Sequence, residues 1–166
     1  ELNEKERKNL IKSIKEWDLD KEYQKLAENG IHFVPVTDNR YPKKLLDIDS
    51  APYALYVKGK LPDENKMTVA IVGARECSPY GESMARRFAK SLASVGIQVV
   101  SGMARGVDSA GQSGALEGGG ESFAILGCGV DICYPREAIG LYMDLQENGG
   151  VISEFPIGTK PLPQHF

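Results

Sequence analysis

The apolar positions change period near residue 66. Upstream, Leu10, Ile11, Ile14 and Trp17 recur at helical spacing and predict an amphipathic helix ending near Asp18. Residues 21–29 predict a second short helix, stopped by Gly30. Residues 31–36 read as a short strand or extended segment whose Pro35 suits an edge or end position. Tyr41-Pro42 opens a turn, residues 53–58 predict another strand ended by Gly59, and residues 61–65 form a polar linker.

From Met67 onward, strand-like and helix-like segments alternate. Residues 67–72 are a continuous apolar run stopping at Gly73, the pattern of a strand buried on both faces. Met84, Phe88, Leu92 and Val95 share one helical face, with Arg86, Arg87 and Lys90 opposite. Strands are predicted at 97–101, 122–126 and 151–153, and helices at 107–116 and 138–146. This alternation predicts an α/β protein: a Rossmann-like, mostly parallel sheet with helices on both faces, preceded by a short helical N-terminal segment. The expected organisation is a helical remnant of an N-terminal domain at 1–30, an extension packing on the main domain at 31–66, and a C-terminally truncated Rossmann-like domain at 67–166.

Composition narrows the class. The 166 residues suit one domain with a small appendage, and no apolar run approaches the roughly 18 residues of a membrane span. The charged first residues do not resemble a signal peptide, and the missing initiator Met predicts a piece of a longer chain. Three cysteines (Cys77, Cys128, Cys133) make no CxxC pair, and His32 and His165 lie far from them, so no metal site is expected. Each cysteine reads as a small buried hydrophobe in a reduced, cytoplasmic compartment. The net charge of −3 argues against a uniformly basic DNA-coating surface, but it permits a local basic groove.

The candidate chemistry sits where predicted strands meet glycine: Gly73, Gly102 and Gly127. In a parallel sheet these turns share one edge, where ligands bind and following helices offer their N-termini to anions. The first turn supplies Gly73, Ala74 and Arg75; the second, Gly102, Ala104, Arg105, Gly106 and Asp108; the third, Gly127, Gly129 and Tyr134. Together they are expected to form a phosphate-binding cleft. Arg75 and Arg105 are placed to grip phosphate in bidentate fashion or to remain surface arginines. Asp108 either caps its helix or faces the ligand. Tyr134 either stacks on a base or walls the cleft. GxGxxG is absent and no acidic residue follows at the usual ribose position, so no dinucleotide cofactor is expected; GxxxxGK[ST], the P-loop pattern, is absent too. Glu154 is the one carboxylate considered for acid–base work, and no His, Cys or second carboxylate is spaced to help it.

These ordered motifs resemble the DprA/Smf family of bacterial DNA-processing proteins. The resemblance runs through Tyr41-Pro42, Ala51-Pro52, Lys58-Gly59, Val72-Gly73-Ala74-Arg75, Ser101 to Asp108, Gly127 to Asp131, Tyr134-Pro135 and Ser153-Glu154. It implies a dimeric, non-enzymatic protein that binds single-stranded DNA, protects it during natural transformation and hands it to the RecA recombinase. It also implies that Arg75 and Arg105 contact the DNA backbone. Gly111-Gln112 departs from the family's Ala-His, so no imidazole role carries over. Two other readings compete. One is a nucleoside-phosphate hydrolase of the lysine-decarboxylase-like group, whose Pro-Gly-Gly signature is missing here. The other is a nucleotide sensor that binds without converting its ligand.

Overall fold

In the computed structural model, residues 3–16 and 18–165 are described; Trp17, assigned above to the first helix, lies outside them. The order is α1 (Glu4–Glu16), α2 (Leu19–Glu28), β1 (Ile31–Pro35), β2 (Ala54–Gly59), β3 (Thr68–Ala70), α3 (Pro79–Ser94), β4 (Gln98–Ser101), α4 (Val107–Glu117), β5 (Ser122–Ile125), α5 (Ile139–Glu147) and β6 (Gly149–Ser153). Short 3-10 helices occupy Lys43–Asp47, Arg136–Ala138 and Pro163–His165. Local sequence sets the helix starts. The Asp18 carboxylate accepts the Lys21 N–H at 3.1 Å, and Ser78 Oγ accepts the Gly81 N–H at 3.1 Å, with Pro79 opening α3.

The six strands form one mixed sheet in the order β1-β2-β6-β5-β4-β3. From β3 to β6 every neighbouring pair is parallel, while β2 joins β6 and β1 joins β2 antiparallel. The sheet therefore crosses the change of apolar period near residue 66, because β1 and β2 extend it.

The Rossmann-like class is as expected, but the layering differs from helices on both faces. Consecutive parallel strands lie side by side, so right-handed crossovers put α3, α4 and α5 on one face. On that face Val99, Ala124 and Val151 meet Ala115, Tyr142 and Leu145. The other face, with Val57, Phe123 and Ile152, is covered by Tyr41, Leu45 and Leu61, from a 3-10 helix and loops.

Two helical faces and one strand also depart from the sequence expectation. The buried stripe of α3 is Ala85, Ala89 and Ala93, while Phe88 and Val95 are exposed. Small side chains win because α3 lies very close to α4: a Cβ on Gly114 would meet the Arg86 carbonyl carbon at 2.8 Å. β3 is an edge strand among the described residues, with Met67 and Val72 exposed, rather than a strand buried on both faces. Leu10, Ile11 and Ile14 do fall on a helix, but no residue of α1 is buried.

The turn after β1 is locked by charge. Asp38 accepts the Arg40 backbone N–H at 2.8 Å and holds its guanidinium at 2.6 Å. The Arg40 side chain, then its backbone N–H, lower the Asp38 carboxyl from 3.8 to about 2. A depressed carboxylate stabilises the turn above its unfolded value and loses that contribution as pH falls through the folded one. The turn should therefore stay ordered at pH 4 and loosen towards pH 2. A carboxyl NMR titration is expected to place the Asp38 midpoint near 2, and Arg40→Ala to return it towards 3.8. An unchanged midpoint in the variant contradicts this cause.

Candidate functional site

The C-terminal ends of β3 and β4 are fastened side by side. The Ile71 N–H donates to the Val100 carbonyl at 3.1 Å, and Ser101 Oγ–H donates to the Ile71 carbonyl at 2.6 Å. Beyond them the first two glycine turns interlock. Val107 N–H donates to the Ala74 carbonyl at 3.3 Å. Gly106, at φ +77°, lies so close that a Cβ would fall 2.6 Å from the Arg75 carbonyl oxygen.

Asp108, only 7% exposed, is the tie between these turns. One carboxylate oxygen accepts the Gly73 N–H at 3.3 Å and the other the Gly102 N–H at 3.1 Å. Through those bonds it braces the two turns against each other, and α4 has no side-chain cap. The two glycine amides expected to face a phosphate are instead occupied by this internal carboxylate.

The second turn is anchored inward by Met103, fully buried in the core with φ +56°. A non-glycine residue in that region is uncommon and needs its surroundings to hold it. Ser109 Oγ–H adds a bond to the Ala104 carbonyl at 2.6 Å. With Met103 plugged into the core, Arg105 projects outward, its side chain about two-thirds exposed.

The result is a small open cleft of about 60 Å³ lined by Arg75, Gly102, Ala104, Arg105, Tyr134 and Pro135. It brings together both arginines and the tyrosine singled out in the sequence. The Tyr134-Pro135 peptide is cis, and Tyr134 is exposed. Nε and Nη2 of Arg105 both meet Oε1 of Glu137, a carboxylate that sequence reasoning missed. The Arg105 guanidinium holds the Glu137 carboxyl below the usual carboxylate range, and Glu137 in turn raises the Arg105 value. Only the nearness of Glu137 to Tyr134-Pro135 could have drawn attention to it, because 32 residues separate it from Arg105.

Gly127 and Gly129 lie elsewhere. Both are buried, beneath the segment that follows β6. His165 Nδ1–H donates to the Gly127 carbonyl at 3.0 Å, and Gly129 N–H donates to the Thr159 carbonyl at 2.9 Å. The expectation of three glycine turns around one cleft is thus corrected to two glycine turns plus the Tyr134-Pro135 end of the third. The packed backbone around Gly129, where a Cβ would be 2.8 Å from the Pro156 carbonyl, explains its glycine without a ligand.

Other chemistry lies outside the cleft. Gln112 is fully buried, its Nε2–H donating to the Phe123 carbonyl at 3.0 Å, so this position belongs to the core. Burial pushes the Cys128 thiol up to about 11 and raises Cys133 as well, as expected of unreactive thiols. Glu154 borders a larger groove of about 360 Å³ on the second sheet face, with Leu45, Leu55, Leu61, Val100 and Ile152. That groove is apolar and shares no lining residue with the cleft.

The fold is that of a Rossmann-like α/β protein, with two guanidiniums and an aromatic ring gathered past its strand ends, where such sheets carry ligands. The comparisons with known proteins narrow this class. The chain belongs to the family described as DNA recombination-mediator protein A, whose model matches residues 32–166. It is 39% identical over 142 residues to Protein Smf of Escherichia coli (strain K12), covering 85% of this chain and 38% of that one. It is 35% identical over 148 residues to DNA processing protein DprA of Streptococcus pneumoniae (strain ATCC BAA-255 / R6), covering 89% and 50%. The chain thus spans half or less of these relatives' lengths. An X-ray structure of the Streptococcus pneumoniae protein superposes with a TM-score of 0.79 at 34% identity, over 89% of this chain and 50% of that one. DNA processing protein A from Helicobacter pylori, whose structure is described for a unique single-stranded DNA binding mode, gives 0.70 at 27% identity, over 81% and 61%. Among the described residues no helix is long and apolar enough to cross a membrane.

Proposed function

We propose that the cleft binds the backbone of single-stranded DNA, with Arg75 and Arg105 on phosphates and Tyr134 against a base. The observation that carries this reading is the convergence of Arg75, Arg105 and Tyr134 on one shallow opening. Guanidiniums recognise phosphate in a bidentate manner, and an aromatic face stacks on any base. The size of the opening supports a passing strand over a housed cofactor. About 60 Å³ is far below the roughly 300 Å³ or more of small-molecule sites. This disfavours the nucleotide sensor and the nucleoside-phosphate hydrolase alike. The Helicobacter pylori relative's single-stranded DNA binding supports the same ligand class.

In this reading the protein is a binding component of recombination rather than an enzyme. It covers single strands arriving in the cytoplasm during natural transformation and passes them to RecA, acting as a homodimer. The glycines and Asp108 shape the cleft, and the arginines contact DNA. Fluorescence anisotropy with labelled oligo-dT and a matched duplex tests the ligand class in the full natural chain. Micromolar or tighter binding to the single strand, weakening with added salt, is expected, with clearly poorer duplex binding. Equal affinity for both forms, or a thermal shift with mononucleotides but not with oligo-dT, contradicts it.

A further inference from the structure

We propose that Glu137 is an internal competitor for DNA phosphate: it occupies the Arg105 guanidinium in the unbound protein and is displaced when a strand enters the cleft. This inference rests on the single-strand reading of the cleft. Arg105 offers its Nε and Nη2 edge to Glu137, the same fork that would hold a phosphate. Both side chains are more than half exposed, so the pair stands at the opening and is not locked in the core. Glu137 belongs to the 3-10 helix Arg136–Ala138, which directly follows the cleft-lining Tyr134 and Pro135. Its carboxylate therefore reaches across the cleft's edge from the third turn to the second.

The exchange conserves charge pairing on Arg105: one oxyanion leaves as another arrives. The displaced carboxylate then sits beside a phosphate and repels it. Removing the carboxylate should raise affinity, and the gain should need Arg105. Because an exposed ion pair is weak, Glu137→Gln is expected to tighten oligo-dT binding by about two- to fivefold. A mere change of net charge would not depend on Arg105.

The test is a double-mutant cycle in the full natural chain, with oligo-dT affinity measured for wild type, Glu137→Gln, Arg105→Ala and the double variant. The expected pattern is a gain for Glu137→Gln, a loss for Arg105→Ala, and a double variant that matches Arg105→Ala. Glu117→Gln, which removes a carboxylate paired with Arg86 outside the cleft, serves as the net-charge control and should leave affinity unchanged. An unchanged affinity in Glu137→Gln overturns the proposal, as does a gain that persists in the absence of Arg105. If Arg105→Ala itself binds like wild type, the cleft assignment fails instead, and the two failures are separable.

Discussion

Reversing both cleft arginines, Arg75→Glu with Arg105→Glu, is expected to weaken oligo-dT binding by at least about 100-fold. Two charge-assisted contacts worth about 1.5 kcal/mol or more each sum to about 3 kcal/mol, which is slightly over two decades in affinity. The salt dependence should change with it. Losing two phosphate contacts on a single strand lowers the slope of log affinity against log salt by about 1.4. Both side chains are exposed, so even with a carboxylate set against Glu137 the variant's stability should stay within about 1 kcal/mol of wild type. Arg75→Lys with Arg105→Lys keeps both charges but loses the planar fork, and should fall between the two. Wild-type affinity in the double glutamate variant moves the binding surface away from these turns.

The arginines were legible in the sequence because their placement depends only on local order. Each follows a strand-ending glycine by two or three residues, and parallel strands carry such positions to one edge. Relations between distant segments were not legible. Gly102, Gly106 and Gly129 look alike as turn residues. Yet Gly106 is required by the approach of the first turn, and Gly129 by the segment around Pro156. The inward face of α3 was not legible for a similar reason. Met84, Phe88 and Leu92 carry the stronger hydrophobic signal, but the close approach of α4 at Gly114 selects Ala85, Ala89 and Ala93. Hydrophobic periodicity ranks side chains by size and polarity, whereas helix contact distance ranks them by smallness at a shared crossing.

The same distinction bears on how the cleft is held open, and Asp108 is where it can be measured. Asp108→Ala is expected to cost about 2–3 kcal/mol of stability. It removes a charged acceptor from two backbone N–H groups, leaving the part-buried Gly102 amide unpaired. For a chain of this size that is a fall of roughly 4–12 °C in melting temperature. Asn should rescue poorly. Its single carbonyl oxygen can serve one glycine, while its NH₂ meets the other glycine's N–H donor to donor. Oligo-dT affinity should fall in parallel, because the carboxylate that ties Arg75's turn to Arg105's turn is gone. A loss of stability together with affinity marks a positioning residue, in contrast to the arginine reversal, where affinity falls and stability holds. The opposite sign is equally informative. Asp108→Ala releases the Gly73 and Gly102 amides and deletes a negative charge. If single-strand affinity rises in that variant, the glycine amides themselves, rather than the guanidiniums, hold the phosphate, and Asp108 is their occupant in the unbound protein.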